Sequence, residues 1–181
     1  MQKRMWMVPA LMFWLAAGQA WSAPPRDPGA FFFDQTLGDF REELSAAREQ
    51  GKKGVFLFFE SDDCPFCHRM KSTVLNQPEV QDAFKQHFLA FAVDVEGDVE
   101  ITDFEGRSMP SKDFAFKVNN VRATPVMAFY DLDGKQVMRY TGATRDKQEF
   151  LLLTEFVEKG LYKQMRFTRY KRERQSQSAR P

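Results

Sequence analysis

Apolar and polar positions fall into blocks along the chain, and each block has its own period. Phe40, Leu44 and Ala47 share a helical face behind Asp39, with Glu42 placed as a capping-box partner and Gly51 as a stop. Gly54–Glu60 is a near-continuous apolar run, as expected of a central strand covered on both faces. Pro65 opens the next helix at a position where a missing N–H costs nothing, and Pro78 opens another with Val80, Ala83, Phe84 and His87 in its stripe. A second apolar strand covers 88–95. Residues 94–106 are acidic and turn-rich and read as a solvated hairpin outside the core. Residues 111–118 predict a short helix, with Phe114 and Val118 one turn apart. Val126–Asp131 and 135–141 are two strands joined by an Asp133-Gly134 hairpin turn. The last helix starts at Asp146, with Glu149 three residues on, buries Phe150, Leu153 and Val157, and closes at Gly160. This order predicts an α/β fold, a mixed sheet flanked by helices.

With 181 residues, 43% hydrophobic and 28% charged, the chain suits one globular domain, and 19 Phe make its interior aromatic. Its start reads as a secretion signal. Lys3 and Arg4 precede an apolar stretch at 5–17, and small residues allow cleavage after Ala20, Ser22 or Ala23. An uncleaved anchor is the competing reading, but the stretch is short for a membrane span of roughly 20 residues. No Cys stands at the cleavage site, so a lipoprotein is not indicated. The expected division is a signal peptide at 1–23, a Pro- and Gly-rich leader at 24–38, the domain at 39–162 and a basic tail at 163–181.

Charge sharpens the last boundary. Residues 24–162 carry 17 Lys and Arg against 24 Asp and Glu, a net of −7, whereas 163–181 carry a net of +6. Such a tail is expected to be disordered, or else an arm for an anionic membrane or an acidic partner. Nucleic acid is not an expected partner.

The two cysteines, Cys64 and Cys67, enclose only Pro65 and Phe66. In an oxidising compartment disulfides persist, yet a loop this small staples little, so the pair reads as chemical. A redox enzyme must lower one thiol's pKa, and a strand-to-helix junction does so through free N–H groups and the helix dipole. Cys64 would attack and Cys67, nearly one turn on, would resolve. Asp62 and Asp63 oppose ionisation of Cys64; Arg69, Lys71 and a protonated His68 favour it. Two rivals stand beside this reading. Cys64 to His68 matches the C-x-x-C-H haem attachment pattern, although it follows a strand in a strand-rich chain. Zinc needs about four ligands, and His68 and His87 are the only further soft candidates. A calcium loop in the acidic segment lacks glycine where an EF-hand needs it.

A strand, C-P-x-C, a helix, then Thr124-Pro125 entering a strand and a hairpin: this series resembles the thioredoxin superfamily over about 39–162. The resemblance implies a cis Pro125 against the redox pair, with Thr124 offering backbone hydrogen bonds to an extended substrate. Within the superfamily the chain is similar to periplasmic thioredoxins of the SoxW type, linked to bacterial sulfur oxidation, through CPFC with Met70, the acidic insertion, Ala123-Thr124-Pro125 and Gly160-Leu161-Tyr162. It departs from ordinary thioredoxins at Phe58, where they carry a buried Asp, and at Asp63, where they carry Trp. Glu60 is the nearest candidate to replace the missing acid, a plain strand terminus being the other reading.

The expected function is a periplasmic thiol–disulfide oxidoreductase acting on protein disulfides, without metal or organic cofactor. Its implied electron source is a membrane thiol donor. An oxidant or isomerase, or a binding module on the same fold, are the other classes. Pro65, Phe66 and His68 join Glu60 and Asp63 as residues expected to modulate the pair.

The exported protein should begin at Trp21, Ala23 or Pro24. Intact-mass analysis checks this, and retention of Met1 would defeat the export reading.

Overall fold

The computed structural model describes residues 23–178; most of the expected signal peptide lies outside the described residues. In chain order the elements are α1 (Pro28–Phe31), α2 (Phe40–Glu49), β1 (Gly54–Glu60), α3 (Pro65–Met70), α4 (Pro78–Lys85), β2 (Phe88–Asp94), β3 (Glu100–Thr102), β4 (Ser108–Pro110), α5 (Ser111–Asp113), β5 (Val126–Asp131), β6 (Gln136–Thr141), α6 (Lys147–Glu158) and α7 (Phe167–Ser178). Wider π-turns prolong α3 over Lys71–Leu75 and α5 over Phe114–Val118.

Four strands form one mixed sheet in the order β2-β1-β5-β6, with β1 parallel to β2 and antiparallel to β5. Six of the seven residues of β1 are buried, which explains its apolar run. The pleat divides them between two cores. Phe56 and Phe58 join Met127, Phe129, Phe84 and Phe150 under α3, α4 and α6. Val55, Leu57 and Phe59 join Leu44, Phe91 and Phe114 on the α2 side. Asp146 caps α6 by accepting the Glu149 N–H at 2.9 Å, while the Glu149 carboxylate reaches back to the Arg145 N–H at 2.8 Å.

The segment expected as a leader is part of the fold. Phe32 is fully buried, with its ring 4.9 Å from Phe84 and 5.9 Å from Phe150. Asp34 then donates its N–H to the Ala90 carbonyl at 2.7 Å and accepts the Ala90 N–H on its carboxylate at 2.9 Å. The acidic insertion does form a hairpin, β3 with β4, but it is anchored rather than wholly solvated. Ile101 and Asp103 are buried, and Thr102 donates to the Gly38 carbonyl at 2.8 Å. Gly38 has a φ of +93°, and a Cβ there would stand 2.8 Å from the Glu100 oxygen, so this crossing needs glycine. Burial pushes the Asp103 carboxyl up, but the N–H groups of Arg107 and Glu105 and the Arg107 guanidinium hold it below the usual range.

The segment expected as a disordered or outreaching basic tail contains α7. Phe167 and Tyr170, one turn apart, are buried against Phe156, each with its ring centroid 5.5 Å away. Lys171, next on that face, reaches the buried Glu149 carboxylate at 2.7 Å. Two aromatic anchors at helical spacing, set among arginines, dock a segment whose average hydropathy is polar. Arg166, Arg169 and Arg172 remain exposed.

Burial pushes the Glu149 carboxyl up, yet hydrogen bonds from Lys171, the Arg145 N–H and Tyr140 leave it below its usual 4.5. A carboxylate held lower in the folded state adds stability above pH 4.5 that is lost as the pH falls through the folded value. Glu149→Gln should therefore cost about 2 kcal/mol at neutral pH. Denaturant melts across pH should show the gap to the parent protein closing in acid; a gap independent of pH would contradict this.

Candidate functional site

At the end of β1 the chain turns through Ser61, Asp62 and Asp63 and starts α3 at Cys64. Cys64 is the N-cap residue, with extended backbone, and Pro65 fills the first helical position without an unmet N–H. Cys64 and Cys67 are joined as a disulfide, their Cα atoms 5.2 Å apart. The Cys67 N–H lies 3.1 Å from Cys64 Sγ, so the helix start offers a donor to that sulfur. Such a donor stabilises a thiolate when the bond is opened. In the disulfide state Cys64 keeps 5% of its surface and Cys67 1%, so Cys64 is less exposed than a free nucleophile at a helix start would be. Phe66 between them is 58% exposed.

The flanking charges are distributed differently from what sequence suggests. Asp62 and Asp63 are exposed. His68 is exposed too, its Nε2 2.7 Å from the Asp62 carbonyl. Arg69 is turned away from the cysteines and donates to the Thr144 and Arg145 carbonyls at 3.1 and 3.4 Å. Lys71 is paired with Glu60 at 2.5 Å. Glu60 is thus a partly buried carboxylate with a cationic partner. Phe58 is fully buried beside Phe33, with ring centroids 5.8 Å apart.

The Thr124–Pro125 peptide bond is cis. Pairing of Val126 with Phe59 sets Pro125 at the same sheet end as Glu60 and the cysteine loop. Here lies a hollow of about 310 Å³, lined by Ser61, Val95, Ala115, Phe116, Arg122 and Thr124 among others. Phe116 is 53% exposed, and the Arg122 guanidinium stacks 3.4 Å from its ring centroid. Phe116, Arg122 and Ser61 escape sequence reasoning. The one usable signal was Phe116 itself, two residues after Phe114 and so off the buried face of its helix. On the other flank a wider cleft of about 850 Å³ runs between the leader and α3, with Glu60, His68 and Lys71 in its wall. Among the described residues no three His, Cys, Asp or Glu side chains converge as a metal site requires, and His87 is half-buried just past α4. No helix among them is long and apolar enough to cross a membrane.

The family model described as a thioredoxin-like domain matches residues 40–158. No curated protein matches the chain. Solved structures do. A thioredoxin-fold protein from Helicobacter pylori is similar at 23% identity and a TM-score of 0.57, over 70% of this chain and 86% of that one. A thioredoxin from Thermus thermophilus is similar at 26% identity and 0.52, over 66% and 84%. A DsbH oxidoreductase is similar in fold at 20% identity and 0.54, over 80% and 96%.

Once reduced, the protein should be alkylated by limiting iodoacetamide at Cys64 before Cys67, because Cys64 has the larger opening and the N–H donor. Peptide masses report the order, and preferential labelling of Cys67 would contradict this assignment.

Proposed function

Since the chain belongs to the thioredoxin-like domain family, we propose that it is a periplasmic protein-disulfide reductase with Cys64 as nucleophile and Cys67 as resolving residue. The observation that carries this reading is the Cys64–Cys67 disulfide at a strand-to-helix junction, with the Cys67 N–H on Cys64 Sγ at 3.1 Å.

In the reducing direction the Cys64 thiolate attacks one sulfur of a substrate disulfide. That S–S bond breaks, the departing sulfur takes a proton from solvent, and a mixed disulfide joins Cys64 to the substrate. Cys67 loses its proton and attacks Cys64 Sγ, closing the disulfide and releasing the second substrate sulfur as a thiolate, which takes a proton from solvent. Glu60 is the carboxylate we assign to receive the Cys67 proton; its partner Lys71 lies one turn after Cys67 on the same helical face. Thr124, ahead of the cis Pro125, is assigned to pair with the backbone of an extended substrate. Pro65, Phe66, His68 and Asp63 shape the approach to Cys64. Two electrons from an external dithiol regenerate the enzyme, and a membrane thiol donor fits an exported setting. No cofactor enters the cycle. The narrower assignment, a SoxW-type thioredoxin, rests on CPFC, the acidic insertion and the Gly160-Leu161-Tyr162 ending.

Trapping separates the two thiols. Cys67→Ser should accumulate a mixed disulfide with substrate, Cys64→Ser should trap almost none, and both should lose insulin-reduction turnover. Equal trapping by the two variants would remove Cys64 as nucleophile, and full activity in both would end the dithiol reading.

A further inference from the structure

We infer that α7 is a positioning element for the redox helix, acting through the buried Glu149 and the loop ahead of α6. The inference rests on the redox reading of Cys64 and Cys67 given above. It concerns residues beyond the family match, which ends at 158.

The contacts form one continuous path. Lys171 of α7 donates to Glu149 Oε1 at 2.7 Å, and Tyr140 of β6 donates to the same oxygen at 3.1 Å. The second oxygen, Oε2, accepts the Arg145 N–H at 2.8 Å. One buried carboxylate therefore ties α7 and β6 to the loop. That loop in turn holds α3. Its Thr144 and Arg145 carbonyls accept the Arg69 guanidinium at 3.1 and 3.4 Å, and the buried Thr144 hydroxyl donates to Met70 Sδ at 3.3 Å. Arg69 and Met70 directly follow His68, within one turn of Cys67.

The consequence reaches the sulfur through backbone order. The Cys67 N–H can stabilise a Cys64 thiolate only while the first turn of α3 keeps its geometry. Fixing the far side of that turn through Arg69 and Met70 preserves the donor in the reduced state, when the disulfide no longer holds the two residues together. Removing the Lys171 contact leaves Glu149 short of a charged partner, loosens its hold on the Arg145 N–H and slackens the turn. The reduced form loses more than the oxidised form does. Lys171 and Glu149 touch no reacting atom, so theirs is a positioning role.

The test is equilibration of the full chain with glutathione buffers. Disulfide plus two glutathione thiols gives dithiol plus glutathione disulfide, so the equilibrium reads the pair's stability without a turnover assay. Lys171→Met should shift it about threefold toward the protein disulfide, comparable to part of one hydrogen bond. Arg69→Gln should shift it by a similar factor, and the double variant by no more than either alone, because both cut one path. Lys171→Arg, which keeps the charge, should restore the parent value. Arg69 is half-exposed, so its variant keeps the test open should Lys171→Met fail to fold. An unchanged equilibrium in a folded Lys171→Met or in Arg69→Gln, or additive shifts in the double variant, would overturn the coupling alone. If no variant, the parent included, exchanges with glutathione, the redox reading falls and the coupling with it.

Discussion

The burial of β1 on both faces sets the conditions for everything at the redox end. A strand with Phe56, Phe58 and Phe59 fully enclosed cannot slide by one residue without sending its side chains into the opposite core. Its register with β2 and β5 is thereby fixed, and so is the place where Glu60 leaves the sheet. Cys64 follows after one tight turn, and the β5 pairing that positions β1 also delivers Pro125 to that end. A reactive pair held this way owes its position to apolar packing rather than to polar contacts of its own.

That packing changes the polar chemistry available beneath the cysteines. At Phe58 the interior is filled by an aromatic ring against Phe33, so no acid can be placed there without removing a ring contact. The nearest acid on the strand is displaced two residues to Glu60, at the edge of the core, where Lys71 can reach it. An acid at the rim needs less compensation for desolvation than one in the interior. A leader that brings Phe32 and Phe33 into the core and a rim acid paired to the redox helix are parts of one arrangement.

Much of the fold could be read from local pattern. β1 and β5 occupy the residues expected of them, and Asp146 caps α6 where the sequence places it. Such features depend on neighbours within a few residues. The packing of the leader and of α7 is not legible this way, because their value is set by distant partners. Phe32 matters through Phe84 and Phe150, and Phe167 through Phe156. At the site the cysteines were legible from spacing, whereas the partners of the flanking charges were not. Arg69 and Lys71 lie next to the pair in sequence, but their destinations are a loop 75 residues on and a strand end 11 residues back.

The crossing of the leader over β2 also bears on how the molecule meets copies of itself. β2 is an outer strand of the sheet, and the outward N–H and C=O of Ala90 are the groups through which a foreign strand would extend it. Asp34 occupies both, one with its carboxylate and one with its own N–H, and Lys85 pairs with that carboxylate at 2.8 Å. A strand arriving from another chain therefore finds the Ala90 rung taken and a charge beside it. Within the approach to the domain, 24–38, it is Asp34 that covers this part of the β2 edge. A shortened chain that begins at Asp39 would expose that edge in every molecule at once.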